Sequence, residues 1–522
     1  MELVEVRDLD GPNLFARIPV IKLEIRIEPG ERDVDQTCGE LEEQIGQWHQ
    51  VAGLDVPAVG RKDIDTPGHH ALFFGWEWRE TALAIAEAAF ESVQSGTDQS
   101  ETVARLEALL RQDRERDDRP DWVRDSERTI PAVGITGTNG KTTTTRLLAH
   151  ICMTAGKHVG WSSSSGVYID GQKVIEGDYT GPSGARRVLH DPSVEIAVLE
   201  TARGGILLRG VAYESNDVGV FLNLTADHLY LQGVETLETL AEVKSVVIQA
   251  TRPDGLVVLN ADDPVVLAQR ERVQAEVLLF SQNPDNREFQ AHVEAGGKAL
   301  LRRGDVLLSI DGGQEQELAR LDAVPMTFNG TARHMVENAL AGCGAAIGLG
   351  FSVEQIAAGL TTFRSNVESN VGRLNVFKLE ERLIVVDYAH NESGLIELLR
   401  FSRALMNGDG CLTAIIGTAG DREDEVLVGL GRIAGSSADR IYIKENPGYL
   451  RGRDLGTSNE LMHAGVSEVG ALERLAGIYP SEHAALLAAI DESKAGDAIV
   501  MMCVEDQITV LRELRDRDAQ EW

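Results

Sequence analysis

The chain has 522 residues, 43% of them hydrophobic and 25% charged. That is an ordinary globular composition; it excludes a largely disordered protein and, at ~150 residues per domain, predicts three or four domains. Its 50 basic and 83 acidic residues give a formal net charge of -33, which argues against DNA or an anionic membrane as a bulk partner, because phosphate-rich surfaces reward Lys and Arg.

Residues 20–27, Val20-Ile21-Lys22-Leu23-Glu24-Ile25-Arg26-Ile27, alternate as a half-buried strand does, and 81–93 carries a helical pattern. The first part therefore reads as a small α+β unit. At 111–128, RQDRERDDRPDWVRDSER, both charge signs crowd around Pro120 with few apolar residues, as in a solvated helix end followed by a linker. From Pro131 onward, apolar runs at 132–135, 196–199, 220–222 and 256–259 alternate with amphipathic stretches, the pattern of a mostly parallel sheet. A helix around 334–349 and a loop at 365–373 precede a second series near Val376, with runs at 383–386, 412–416, 440–443 and 498–502. Two α/β domains with a cleft between them are expected.

The five cysteines, Cys38, Cys152, Cys343, Cys411 and Cys503, are far apart and form no C-x-x-C pair, so neither a disulfide framework nor a zinc site is expected. The N-terminus lacks a basic segment followed by an apolar one, and no run reaches the ~18 apolar residues of a membrane span. The expected location is the cytoplasm.

The strongest local signal is Gly134-Ile135-Thr136-Gly137-Thr138-Asn139-Gly140-Lys141-Thr142-Thr143. A β-branched strand enters a glycine-rich turn that opens a helix, so backbone N–H groups and the helix dipole converge on an anion. Lys141 can reach the β- and γ-phosphates of a nucleoside triphosphate, and Thr142 can hold Mg²⁺. The spacing departs from G-x-x-x-x-G-K-S/T, because Gly137 lies three residues before Gly140. Polar residues recur after later strands: Glu200 and then Thr201-Ala202-Arg203-Gly204-Gly205, followed by Asn223, Thr225, Asp227 and His228. A carboxylate and a neutral imidazole suit Mg²⁺ beside a triphosphate.

These pieces, GTNGKT, LETARGG, NLTADHL and Asp387-Tyr388-Ala389-His390-Asn391, occur in the order shown by the Mur ligase family, which the chain resembles from about Ser126 to its end. Within that family GVYIDGQ, GDYTGP, LETARGGIL, TADHL and AEVKSVV are similar to the wording of cyanophycin synthetases. The segment Arg7-Asp8-Leu9-Asp10-Gly11-Pro12-Asn13-Leu14 resembles their N-terminal domain. Those enzymes carry an ATP-grasp domain where this chain has only the 111–128 linker, so the resemblance implies one ligation centre rather than two.

The resemblance implies a multidomain α/β fold: an α+β domain at 1–120, a central P-loop ATPase domain at 121–370, and a Rossmann-like domain at 371–522. It implies an ATP- and Mg²⁺-dependent ligase joining a carboxylate to an amine through an acyl phosphate, working on small-molecule or peptide substrates as a homo-oligomer. The alternative is a silent ATP-binding homologue with a regulatory or structural role.

Residue by residue, the turn Gly137, Thr138, Asn139, Gly140, Lys141, Thr142 and Thr143 would hold the nucleotide. Thr142, Glu200, His228 and Lys244 would serve Mg²⁺, Lys244 as a carbamate. Asn338, one helical turn from His334, would reach adenine; Arg373 in the hinge would approach the γ-phosphate or ribose; Asp387 and His390 would contact nucleotide. Thr180, Arg203, Glu445, Asn446, Arg451 and Arg453 would face the substrates. The hinge reads Val371-Gly372-Arg373 without the family's proline, and Glu392 replaces the proline after Asn391.

Overall fold

The computed structural model describes residues 1–96, 98–226, 233–406 and 408–522. The chain divides into two compact units: Met1–Leu301 with Ser309–Glu315 and Ala341–Ile356, and Arg302–Leu308 with Gln316–Leu340 and Ala357–Trp522. Among the described residues no helix is long and apolar enough to cross a membrane.

The first unit begins with an antiparallel sheet whose strand order is Glu2–Leu9, Val20–Arg26, His69–Gly75 and Val59–Asp63. Ile21, Leu23 and Ile25 alternate into a core shared with Leu41 and Ile45 of helix Val34–Val51 and Ile85 of helix Arg79–Gln94. That is the period-2 pattern read from 20–27. The helix expected at 81–93 is Arg79–Gln94. The charged stretch beginning at 111 is the end of helix Gln99–Arg116, but it is not solvated throughout. Asp113 is buried and accepts from the Thr81 amide at 2.9 Å and the Thr81 hydroxyl at 2.6 Å, tying one helix to the next.

The second sheet of this unit has a parallel centre ordered Lys298–Arg303, Glu276–Ser281, Thr251–Asn260, Asn216–Phe221, Ala132–Thr136, Ile196–Glu200 and Val159–Ser163. Two antiparallel strands, Gly166–Ile169 and Gln172–Glu176, follow it, so the sheet is mixed. All five residues of Ala132–Thr136 are buried, which explains the unbroken apolar run. This strand lies between Asn216–Phe221 and Ile196–Glu200, so the turn after it opens among the carboxyl ends of both neighbours, where ligands of α/β sheets bind.

The antiparallel layer grips one helix of this sheet. Lys62 Nζ lies 2.9 Å from Glu242 Oε2 of helix Leu237–Gln249. Asp65 Oδ2 accepts from the Glu235 amide and from the hydroxyl of the helix cap Thr236, each at 3.2 Å.

The second unit holds a sheet ordered Leu475–Tyr479, Arg440–Lys444, Leu412–Ile416, Ala498–Met502, Arg382–Asp387, Asn375–Leu379 and Gln520–Glu521. The first five strands run parallel and the last two pair antiparallel. Its core includes Ile384, Val386, Ile415, Ile499 and Met501, the apolar runs of the second series.

Candidate functional site

In the first unit the glycine-rich turn is pinned from the neighbouring strand end. Asn223 accepts the Thr138 amide through its carbonyl and the Asn139 amide through its side chain, both at 2.9 Å. The Asn223 amide donates back to the Asn139 carbonyl at 3.2 Å. Gly137 has φ +154, and a Cβ there would stand 2.9 Å from the Leu222 Cβ, so glycine is required by both conformation and space. Gly140, at φ +86, precedes helix Lys141–Thr154, and the Thr144 amide donates to its carbonyl at 2.9 Å. The first-turn amides beyond it have no i−4 acceptor in the helix, which makes this an anion-facing end.

Two lysines converge on the turn. Lys141 Nζ donates to the Gly137 carbonyl at 3.0 Å and the Thr138 carbonyl at 2.8 Å. Lys244, 95% buried on helix Leu237–Gln249, donates to the same Gly137 carbonyl at 2.8 Å. Beside them Thr142 Oγ1 donates to Glu200 Oε1 at 3.1 Å, and the Ser164 amide donates to Glu200 Oε2 at 3.2 Å. Ser164 Oγ lies 3.1 Å from Thr142 Oγ1.

A hydroxyl and a carboxylate at the mouth of an anion cradle form a hard-oxygen donor set suited to Mg²⁺. The glycine cradle at Gly137 suits a phosphate chain, so the residues present fit both groups. His228 and Asp227 lie outside the described residues. Ser164 was not singled out from the sequence, although the run Ser162–Ser165 after an apolar strand marked it.

Of the expected substrate residues in this unit, Thr180 is buried, with its amide at 3.0 Å and its hydroxyl at 2.7 Å from Asp178 Oδ1. Its carbonyl accepts the Ala202 amide at 3.1 Å, next to Arg203, which opens helix Arg203–Arg209. The two expected substrate segments are thus adjacent.

In the second unit Asn338 is buried on helix Arg333–Gly348, its amide 3.9 Å from Met335 Sδ. His334 stands 3.9 Å from Glu397. Burial opposes ionisation of Glu397, but the His334 imidazole and the Arg400 guanidinium, at 2.7 Å, hold its carboxyl down at about 2. Asp387 Oδ2 accepts the Leu374 amide at 2.6 Å; burial pushes its carboxyl up, against the pull of Arg373 and His334. Arg373 lies over the Tyr388 ring at 4.4 Å, and Tyr388 meets His390 edge-on at 5.6 Å. The structure brings Arg373, Asp387 and His390 together around Tyr388, with Asp387 tied electrostatically to His334.

The segment after strand Arg440–Lys444 is more enclosed than its sequence indicates. Glu445 accepts from the Gly456 amide at 2.8 Å and from Asn459 Nδ2 at 2.9 Å, while Asn446 Oδ1 accepts from Lys444 Nζ at 2.8 Å. Arg453 is committed to Asp424, Gly420 and Arg422, whereas Arg451 is exposed and lies over Tyr449 at 5.1 Å. Sequence reasoning missed Glu482, which organises this region. It is 2% exposed and accepts Lys444 Nζ at 2.6 Å and the amides of Val504, Glu505 and Asp506 at 2.7, 3.1 and 2.7 Å. A lone Glu opening a helix carries no sequence signal for such a role.

Residues 135–346 match the family model described as the Mur ligase middle domain, and residues 372–503 match that of the Mur ligase, glutamate ligase domain. The cyanophycin synthetase of Trichormus variabilis is 42% identical over 373 residues, covering 72% of this chain and 41% of that one. The UDP-N-acetylmuramoyl-L-alanyl-D-glutamate--2,6-diaminopimelate ligase of Geobacter metallireducens is 30% identical over 376 residues, 68% of each chain. A solved bifunctional folylpolyglutamate synthase/dihydrofolate synthase with Mn, AMPPNP and L-glutamate bound superposes with a TM-score of 0.54 at 19% identity, over 74% of this chain and 89% of that one. The chain spans about 41% of the length of the cyanophycin synthetase it matches.

Proposed function

Because the chain belongs to the Mur ligase family, we propose that it is an ATP-dependent ligase that joins a carboxylate to an amino acid or amine. The carboxylate is phosphorylated by the γ-phosphate, the amine attacks the resulting acyl phosphate, and ADP and phosphate leave. The observation that carries this reading is the Thr142–Glu200 contact of 3.1 Å at the mouth of a glycine turn that also receives Lys141 and Lys244.

Each residue then has a task. The turn Gly137–Thr143 holds the phosphate chain, and Lys141 neutralises charge that moves onto bridging and terminal oxygens. Thr142, Glu200 and His228 would hold Mg²⁺, which would supply charge neutralisation at the phosphoryl oxygens. Lys244 would join them as a carbamate, which turns a cation donor into a carboxylate-like ligand. In the second unit Asn338 reads the base, and Arg373, Asp387 and His390 meet the nucleotide. Thr180 and Arg203 face the carboxylate; Glu445, Asn446, Arg451 and Arg453 face the amine, with the Glu445 carboxylate suiting an ammonium or guanidinium.

The similarity to cyanophycin synthetase supports an aspartyl or cyanophycin-like carboxylate. The working assignment is three functional parts, 1–120, 121–370 and 371–522, in a cytoplasmic homo-oligomer. The test is phosphate release from Mg-ATP with paired amines and carboxylates, together with mass-spectrometric detection of a product lighter than its two parents by one water. Dependence on both co-substrates supports the ligase; turnover with neither, or none with any pair, overturns it.

A further inference from the structure

A cavity of about 540 Å³ opens beside the four-stranded sheet of the first unit, within the size range of small-molecule sites. None of its lining residues belongs to the glycine-rich turn or to Thr142, Glu200 or Lys244. Its most informative wall is His49, which is 96% buried near the end of helix Val34–Val51.

The ring Nδ1 is spent on the Ile45 carbonyl at 2.8 Å, and the ring packs edge-on against Phe74 at 5.3 Å. Burial pushes the imidazole pKa down, so the ring is held neutral. With the proton on Nδ1, Nε2 is a lone-pair acceptor, and it has no partner among the described residues. That nitrogen is not sealed off, so a donor on a guest in the cavity can reach it.

The rest of the wall states what that donor belongs to. Trp76 and Trp78 give flat apolar surface; Trp76 Nε1 is fixed on the Leu9 carbonyl at 3.1 Å, and Trp78 carries the Arg114 guanidinium at 5.9 Å. Asp55 is an exposed carboxylate without an ion pair among the described residues. Glu77, the second carboxylate of the lining, pairs with Arg119 at 3.7 Å, which leaves the Asp55 carboxylate and the Arg114 guanidinium to match a guest with both an ammonium and a carboxylate.

We propose that this cavity binds a small α-amino-acid-type zwitterion, its carboxylate toward Arg114, its ammonium toward Asp55, and a side-chain N–H donor on His49 Nε2. The site is separate from the proposed ligase centre and stands whether or not that reading holds.

The experiment is calorimetric titration of the full chain with lysine and glutamine, with glycine as the guest lacking a side-chain donor and cadaverine as the guest lacking a carboxylate. Tryptophan emission gives a second readout. Saturable binding of lysine or glutamine, weaker for glycine and cadaverine, is expected. His49→Phe removes the acceptor and weakens binding roughly tenfold, the worth of one buried hydrogen bond. Asp55→Asn, at an exposed position that leaves folding intact, weakens it as well. Absence of saturable heat for every guest overturns the proposal, as does binding left unchanged by both variants, which would place the guest elsewhere.

Discussion

Glu482→Gln tests the buried ion pair under the proposed amine-binding segment. The wild-type carboxylate is opposed by burial but is held at about 2 by the Lys444 ammonium and by the amides of Asp506 and Val504. Against the reference value of 4.5, that shift corresponds to about 3 kcal/mol of stabilisation at neutral pH. The glutamine keeps the shape, loses the charge, and must turn an NH₂ toward a group that already donates. Lys444, 1% exposed, then keeps Asn446 as a partner but loses its counter-charge. Breaking one side of a buried pair costs about 3–5 kcal/mol, so the two routes agree.

Because the folded carboxyl is depressed, its contribution is complete above the unfolded value near 4.5 and is lost as pH falls toward about 2. Urea unfolding, with hydrogen exchange of the peptide spanning 504–506 as the local probe, should show the full deficit at pH 7 and a shrinking one below pH 4.5. The double variant Lys444→Met/Glu482→Gln should recover much of the loss, since the stranded charge is gone. A deficit under about 1 kcal/mol at pH 7, or one that persists undiminished at pH 2–3, refutes the assignment.

Lys141→Ala should lower nucleotide-dependent turnover by roughly 10²–10³, the worth of one charge-stabilising group, while leaving the thermal midpoint close to wild type. Glu200→Gln should raise the Mg²⁺ concentration needed for half-maximal turnover by about tenfold or more; an unchanged metal requirement removes Glu200 from the metal set. Gly137→Ala places a Cβ 2.9 Å from Leu222 Cβ at a φ of +154 and should weaken nucleotide binding, measured by calorimetry, beyond what Gly156→Ala does, where nothing lies within 4 Å. Lys244→Ala should abolish turnover and be partly rescued by added formate or acetate; full activity without rescue denies the carbamate role.

The parts of the fold legible in the sequence were those written in local periodicity. Strand Ala132–Thr136 has no charged residue and a single polar one, Thr136, because both faces are covered, and its glycine turn announces itself by composition. The alternation at 20–27 marks the apolar face of a strand; Lys22 and Glu24 lie on the other face, where Lys22 meets Glu5 at 2.9 Å, but that face is covered too, since Glu24 is buried against His69 at 2.7 Å. What the sequence hid is set by long-range pairing. Ser164 meets Thr142 only because Val159–Ser163 lies alongside Ile196–Glu200, and nothing in a serine run encodes that neighbour. Glu482 finds Lys444 across 38 positions. His49 reads as an ordinary helix residue until the cavity shows that one ring nitrogen has no partner among the described residues.

The clasp of Lys62 and Asp65 on the helix bearing Lys244 makes the antiparallel layer a splint rather than a passenger. Trimming the chain to its nucleotide-handling core would unbrace the first turn of that helix and leave Glu242, whose carboxyl is held down against burial by Lys62 and Arg272, with Arg272 alone of the two. Anyone grafting this layer onto another chain should therefore move it together with the helix surface it holds, as one cassette.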